Sequence, residues 1–310
     1  MLNLIRNEWM KLWHKKSTWA MVALLIAMII GLVAITKWMD SKTETPAWEQ
    51  TVTEELGMVK QQLAVTDISD ETKKSLEDQQ MILQYRLDEG VAPLSSAGFE
   101  GFMMDSYGMS SIITLLTVIV AAGIVASEFS QGTIKMLLAR PVRRWKILTS
   151  KFLTVVAFAL FLTVVSYVVS LLIGMIFYES SGGSLLEVVN GQVTEVSYWL
   201  KSIWLNVLAL GDVIIIASFA FAIGTVFRSS SLAIGIAIFL MFTGTQFAFI
   251  LRNYEIVKYI LFSHTFTQIE KGGSFIEGMT TPFSVTVMIV YFAFFLAISY
   301  WTFTRRDVTA

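Results

Sequence analysis

Apolar residues in this chain fall in unbroken runs, and six of them reach the roughly twenty residues needed to cross about 30 Å of hydrocarbon. The runs cover residues 18–38, 107–127, 149–177, 203–227, 231–251 and 283–303. The first follows Lys15 and Lys16, but it is long for a signal-peptide core and no small-x-small cleavage site follows it, so it reads as a retained anchor.

Outside the runs the pattern turns helical. Leu2, Ile5, Trp9, Leu12 and Trp13 share one face of a short N-terminal helix, with Arg6, Asn7, Lys11 and His14 to Lys16 largely opposite. Such a helix lies in the membrane interface, either as a generic anchor drawn to anionic lipid or as an elbow that also rides on a cytoplasmic partner. Val52, Leu56, Val59 and Leu63 form a narrow seam, and Leu76, Leu83 and Leu87 would face it from a second helix starting near Asp70 and ending at Gly90. That predicts a helical hairpin of about eighteen residues per arm, roughly 27 Å long. The stretch from Tyr178 to Tyr198 is rich in Ser and Gly and reads as a flexible loop without chemistry. Between the fifth and sixth runs, Ile256, Tyr259, Ile260 and Phe262 share one side of a short helix, followed by Lys271, Gly272 and Gly273, which predicts a re-entrant or surface-lying element.

Composition agrees with a polytopic membrane protein: 55% of the 310 residues are hydrophobic and only 15% are charged. There are no cysteines, so disulfides and thiol chemistry are excluded. The net charge of −1 conceals an uneven distribution. Bases gather at the N-terminus, in 127–151 and at Arg305 and Arg306, whereas from Asp40 to Asp105 fourteen acids face five bases. The basic segments belong inside the cell and the acidic one outside, so six spans place both termini in the cytoplasm.

Candidate chemistry is sparse. No G-x-x-x-x-G-K-[ST] occurs, so the chain holds no P-loop of its own, and the two histidines, His14 and His264, fall on opposite sides of the expected membrane. A histidine-based zinc site or hydrolytic pair inside the bilayer is therefore excluded. No metal, cofactor or catalytic residue is expected in this chain, and no nucleic acid partner. Asp212 is the single acid inside any expected span. Near the bilayer centre such a charge costs about 2.5 to 3.5 kcal/mol on insertion scales, so it must face protein or water. It reads either as part of a translocation path or as a protonated or hydrogen-bonded structural group. Ser110, Thr114, Thr117 and Ala121 in the second run, and Thr163, Ser166, Ser170 and Gly174 in the third, are small-residue stripes that let helices approach.

The most distinctive stretch lies between the second and third runs. Gly132 breaks the helix there, Thr133 is placed to cap a two-turn helix to Ala139 presenting Ile134, Leu137 and Leu138, and Arg140 before Pro141 ends it at a basic corner with Arg143, Arg144 and Lys146. An apolar two-turn helix with a charged corner fits a hydrophobic groove on a soluble partner.

From Glu128 to Lys151 the run E-F-S-Q-G-T-I-K-M-L-L-A-R-P-V-R-R-W-K-I-L-x-x-K resembles the junction between the second and third helices in permease subunits of type-two ABC exporters. Asn7 to Leu12 (N-E-W-x-K-L), Arg228-Ser229-Ser230 and the closing Phe303, Arg305, Arg306 and Asp307 are similar to the family's other landmarks. The resemblance implies that Glu128, Gly132, Thr133, Ile134, Leu137, Leu138, Arg140, Pro141, Arg143 and Arg144 form the element that couples to a separate ATPase. It implies elbow contacts through Arg6, Glu8 and Lys11, a homodimer or a heterodimer with a paralogous permease, and ATP and magnesium on the partner ATPase subunit only. It also implies placement in a cell membrane, the bacterial cytoplasmic one. Family members move polysaccharides, lipids, drugs, sodium ions or antimicrobial peptides, and the long outer hairpin departs from the compact members, which leaves the cargo open.

The resulting expectation is an all-α protein of six transmembrane helices with both termini inside. Its parts are an interfacial elbow helix (1–17), the first span (18–38), an extracellular helical hairpin (39–106), the second span (107–127), a cytoplasmic coupling segment (128–148), the third to fifth spans (149–177, 203–227 and 231–251), a re-entrant segment (252–282) and the sixth span (283–303). Its expected role is the permease subunit of an ATP-driven exporter for an amphipathic or hydrophobic peptide, drug or lipid. The alternatives are a non-transporting sensor or scaffold whose hairpin binds a ligand, and a proton-coupled carrier.

Overall fold

The computed structural model describes residues 1–42, 47–64, 70–134, 142–227, 229–270 and 279–305. Their order is α1 (Leu2–Trp13), α2 (Lys16–Asp40), α3 (Trp48–Leu63), α4 (Asp70–Glu89), α5 (Phe99–Asp105), α6 (Ser110–Ser130), α7 (Arg144–Phe177), β1 (Leu185–Val189), β2 (Gln192–Val196), α8 (Tyr198–Val226), α9 (Ser230–Ile250), α10 (Phe266–Glu270) and α11 (Thr281–Arg305). Two short 3-10 helices, Glu255–Tyr259 and Leu261–Ser263, lie between α9 and α10. The described residues hold six helical stretches long and apolar enough to cross a membrane: α2, α5 to α6, α7, α8, α9 and α11.

α6 and α8 sit at the centre of the bundle. Their facing residues are small, with Ala121, Ala122, Ala126, Ala217 and Ala220 almost fully buried. A Cβ on Gly224 of α8 would come within 2.3 Å of the Ala122 carbonyl oxygen, so only glycine allows the two backbones this approach. In lipid, where apolar side chains gain nothing by leaving the solvent, such close packing holds helices together. The stripe expected on α6 divides: Thr117 and Ala121 are buried in this contact, while Ser110 and Thr114 line a cavity.

One end of the bundle gathers the start of α2, the C-terminal ends of α6 and α11, the N-terminal end of α7, and α1, which lies across it. α1 packs on α7, with Trp9 and Trp13 edge-on to Phe161. Leu2, expected on the apolar face, is exposed, and the fully covered residues are Leu12 and the acidic Glu8. At the opposite end, α3 and α4 pack side by side through Val52, Leu56, Val59 and Leu83, flanked by Leu76 and Leu87.

The stretch from Tyr178 to Tyr198 carries a two-stranded antiparallel hairpin, β1 to β2, in place of the expected flexible loop. Its turn is Asn190-Gly191, both at positive φ (53° and 76°), as a two-residue type I′ turn requires. Among the described residues the fold is therefore mostly helical, as expected, with the addition of this small β-hairpin. Arg86 of α4 is buried and donates to the carbonyls of Val91 (3.3 Å) and Ser184 (3.0 Å), joining the α3–α4 pair to this hairpin. Glu100 of α5 accepts from the Ser181 backbone N–H (2.9 Å), the Ser181 hydroxyl (3.0 Å) and the Ser180 hydroxyl, fixing the exit of α7.

Candidate functional site

Lys151 is the largest fully buried side chain among the described residues, at 1% exposure, and a buried ammonium persists only where it is paired. It lies on the second turn of α7, among Ile147, Leu148 and Phe152. Its Nζ donates to Glu8 Oε2 of α1 at 2.7 Å and to Glu128 Oε1 of α6 at 3.0 Å. Lys11, one turn beyond Glu8, bridges the same two carboxylates at 3.3 Å each from the exposed side. Two carboxylates and two ammoniums thus neutralise one another where three helices meet. Burial disfavours the Lys11 ammonium, but the charges of Glu8 and Glu128 outweigh it and hold its pKa above the ordinary lysine value.

Beyond α6 the chain turns at Gly132, whose φ of +70° is left-handed backbone that a side chain would strain. The helix that Thr133 is expected to cap runs on past Ile134 outside the described residues. The Thr133 hydroxyl points back and donates to the Glu128 carboxylate and, at 3.4 Å, to the Glu128 carbonyl. Ile134 is buried in the main core. Leu137, Leu138, Arg140 and Pro141, and so most of the expected two-turn helix, lie outside the described residues. Arg143 is the N-cap residue of α7 and Arg144 its first helical residue, so that end of the expected coupling segment belongs to the third span. Arg144 reaches the Thr304 carbonyl of α11 at 3.2 Å. Arg6 is exposed and stands outside the network. A cavity of about 690 Å³ opens beside the four charged residues, lined also by Asn7, Ser127 and Gln131.

Of the residues singled out from sequence, Glu8, Lys11, Glu128 and Thr133 meet at one point. Lys151, which holds them together, fell in the expected third span and closed the run resembling the exporter junction, but was given no role of its own. The signal that marks it is position: a lysine followed by twenty-seven residues without a charge belongs to the span.

Asp212 lies apart from this network, halfway along α8. Its Oδ1 accepts from the Phe266 N–H at 2.7 Å, and its Oδ2 accepts from the Thr267 hydroxyl at 3.1 Å and the Thr267 N–H at 3.4 Å. It thereby supplies the N-terminal acceptor for α10 from another helix and pins the segment after α9 against the middle of α8.

Residues 69–309 match the family described as "Protein of unknown function (DUF2705)". The chain belongs to this family. As a DUF2705 member it is also similar to two proteins of Bacillus subtilis (strain 168). "Uncharacterized protein YhcI" is 32% identical over an alignment of 317 residues that covers 99% of each chain. "Uncharacterized membrane protein YdbK" is 30% identical over 216 residues, 68% of this chain and 83% of that one. The DUF2705 match takes in Glu128, Lys151 and Asp212, and the first relative extends the similarity over α1 and Glu8.

Proposed function

We propose that this multi-pass membrane protein is the permease subunit of an ATP-driven exporter, powered by separate nucleotide-binding subunits that carry ATP and magnesium. In this reading the end of the bundle bearing Lys15, Lys16, Arg143, Arg144 and Arg305 faces the cytoplasm, as the excess of bases there favours. α1 is an interfacial elbow helix, and α3 with α4 forms an extracellular hairpin. Two permeases, identical or paralogous, would enclose the path, because six spans without a visible internal repeat are few for one.

The observation that carries the proposal is the buried pairing of Lys151 with Glu8 and Glu128. The segment after α6 is where an ATPase would dock, and Glu128 with Thr133 stands at its root. A push on that segment cannot move Glu128 without drawing Lys151 of α7 and Glu8 of α1 with it, since separating them would strand charges in a poorly solvated place. Docking outside the membrane is thus tied to a tilt of three helices within it. The cargo class that suits the apolar, weakly charged spans is an amphipathic or hydrophobic peptide, drug or lipid.

The test is purification of the tagged chain from its native membrane in mild detergent. A stoichiometric P-loop subunit is expected with the wild type, and it should be lost from the double variant Arg143→Glu/Arg144→Glu and from a chain lacking residues 133–139, both still inserted. Equal recovery of the ATPase with these variants, or none with the wild type, would refute docking at this segment.

A further inference from the structure

A second cavity, of about 700 Å³, lies in the other half of the bundle between α6, α8, α9, α11 and the segment that ends in α10. That volume is within the range of about 300 to 1,000 Å³ typical of small-molecule sites. Its opening is on the flank between α6 and α9, where Ser111, Phe242 and Thr245 are exposed.

Its lining has one electrostatic peculiarity. Asp212 faces it with both carboxylate oxygens accepting hydrogen bonds, from two backbone N–H groups and one hydroxyl. Two of these donors are backbone N–H groups, which can only donate, and they favour the ionised form. All three donors are neutral, and among the described residues no lysine or arginine pairs with Asp212. An anion in an apolar surrounding without a cation is costly, and a cationic group arriving in the cavity would relieve that cost.

His264 lines the cavity at 4% exposure, its Nε2 lies 2.9 Å from the Lys258 carbonyl, and its Nδ1 is buried with no partner. With Nε2 carrying the proton toward that carbonyl, Nδ1 is left as an acceptor. The rest of the lining, including Met241, Phe262 and Met288, is apolar and aromatic, which suits a hydrocarbon body and a cation near ring faces.

We propose that this cavity binds a lipophilic primary or secondary amine, with its ammonium seated on Asp212. The claim concerns equilibrium binding and goes beyond the transport reading, on which it does not depend.

The experiment uses the purified full chain in nanodiscs of neutral lipid, with tritiated 4-phenylbutylamine and the uncharged 4-phenylbutanol as matched probes. After subtraction of partition into empty nanodiscs, the amine should bind about tenfold or more tightly than the alcohol, the gain of a charge-assisted contact. Asp212→Asn should remove that advantage and leave the alcohol unchanged. Thr114→Phe, which narrows the cavity from the α6 side and leaves the Asp212 carboxylate in place, should weaken binding of both, and it decides the matter if the Asn variant does not assemble. Equal binding of amine and alcohol by the wild type, or amine binding undiminished by Thr114→Phe in a folded chain, would overturn the proposal.

Discussion

Lys151 is the residue whose loss should cost most, because its removal leaves two buried carboxylates facing each other. Breaking a buried pair in this way costs about 3 to 5 kcal/mol, and Lys151→Met should lower the detergent-solubilised unfolding temperature accordingly. Adding Glu8→Gln and Glu128→Gln to Lys151→Met should restore part of the loss, since the stranded charges go with their partner. Lys11→Met should cost far less, because this lysine is half exposed and its attraction is screened by water. A pH dependence is expected at His264. Burial holds its pKa below the ordinary histidine value, although the hydrogen bond to the Lys258 carbonyl works in the opposite direction. A base whose pKa is lowered by folding contributes stability above its unfolded pKa and loses it as pH falls. Protection of residues 255–270 against hydrogen exchange should therefore weaken from about pH 7 to pH 5, and His264→Gln should flatten that dependence.

Among the elements, the membrane spans announce themselves in the sequence because their signal is additive: twenty apolar residues outweigh any one exception. The α3–α4 seam is legible for a similar reason, its leucines and valines repeating on one face. Leu56→Ala and Leu83→Ala should each cost that pair about 2 to 5 kcal/mol. The readout is faster protease cleavage within 48–89, with cleavage of the spans unchanged. The β-hairpin escaped the sequence reading because Ser and Gly around it suggested an open loop, although Asn190-Gly191 flanked by Val188, Val189 and Val193 carries a two-residue turn signal. The pairing of Glu8 with Lys151 is hidden for another reason. It joins residues 143 positions apart, and nothing local to either side chain names the other. Glu128 was found through its surroundings in the sequence, whereas the contact of Glu8 with Lys151 follows only once α1 is seen lying on α7.

At the scale of the whole molecule the two ends of the bundle have different chemistry. One carries a neutralised four-charge junction between α1, α6 and α7, and the other half carries Asp212 beside an open cavity. The proposed mechanism requires the first to move the second through α6 and α8, which the contact of Gly224 with Ala122 holds backbone to backbone. Gly224→Leu should therefore disturb assembly itself, read as loss of the monodisperse species in detergent.

The native absence of cysteine makes the central claim directly measurable, because a single introduced thiol reports without background. With Thr245→Cys at the cavity mouth and the partner ATPase bound, the rate of maleimide labelling is compared with and without ATP and vanadate. The account expects a nucleotide-dependent change in rate for the otherwise wild-type chain, and its loss on adding Lys151→Met while the ATPase remains bound. A rate indifferent to nucleotide in the first chain, or an unchanged response in the second, would contradict it.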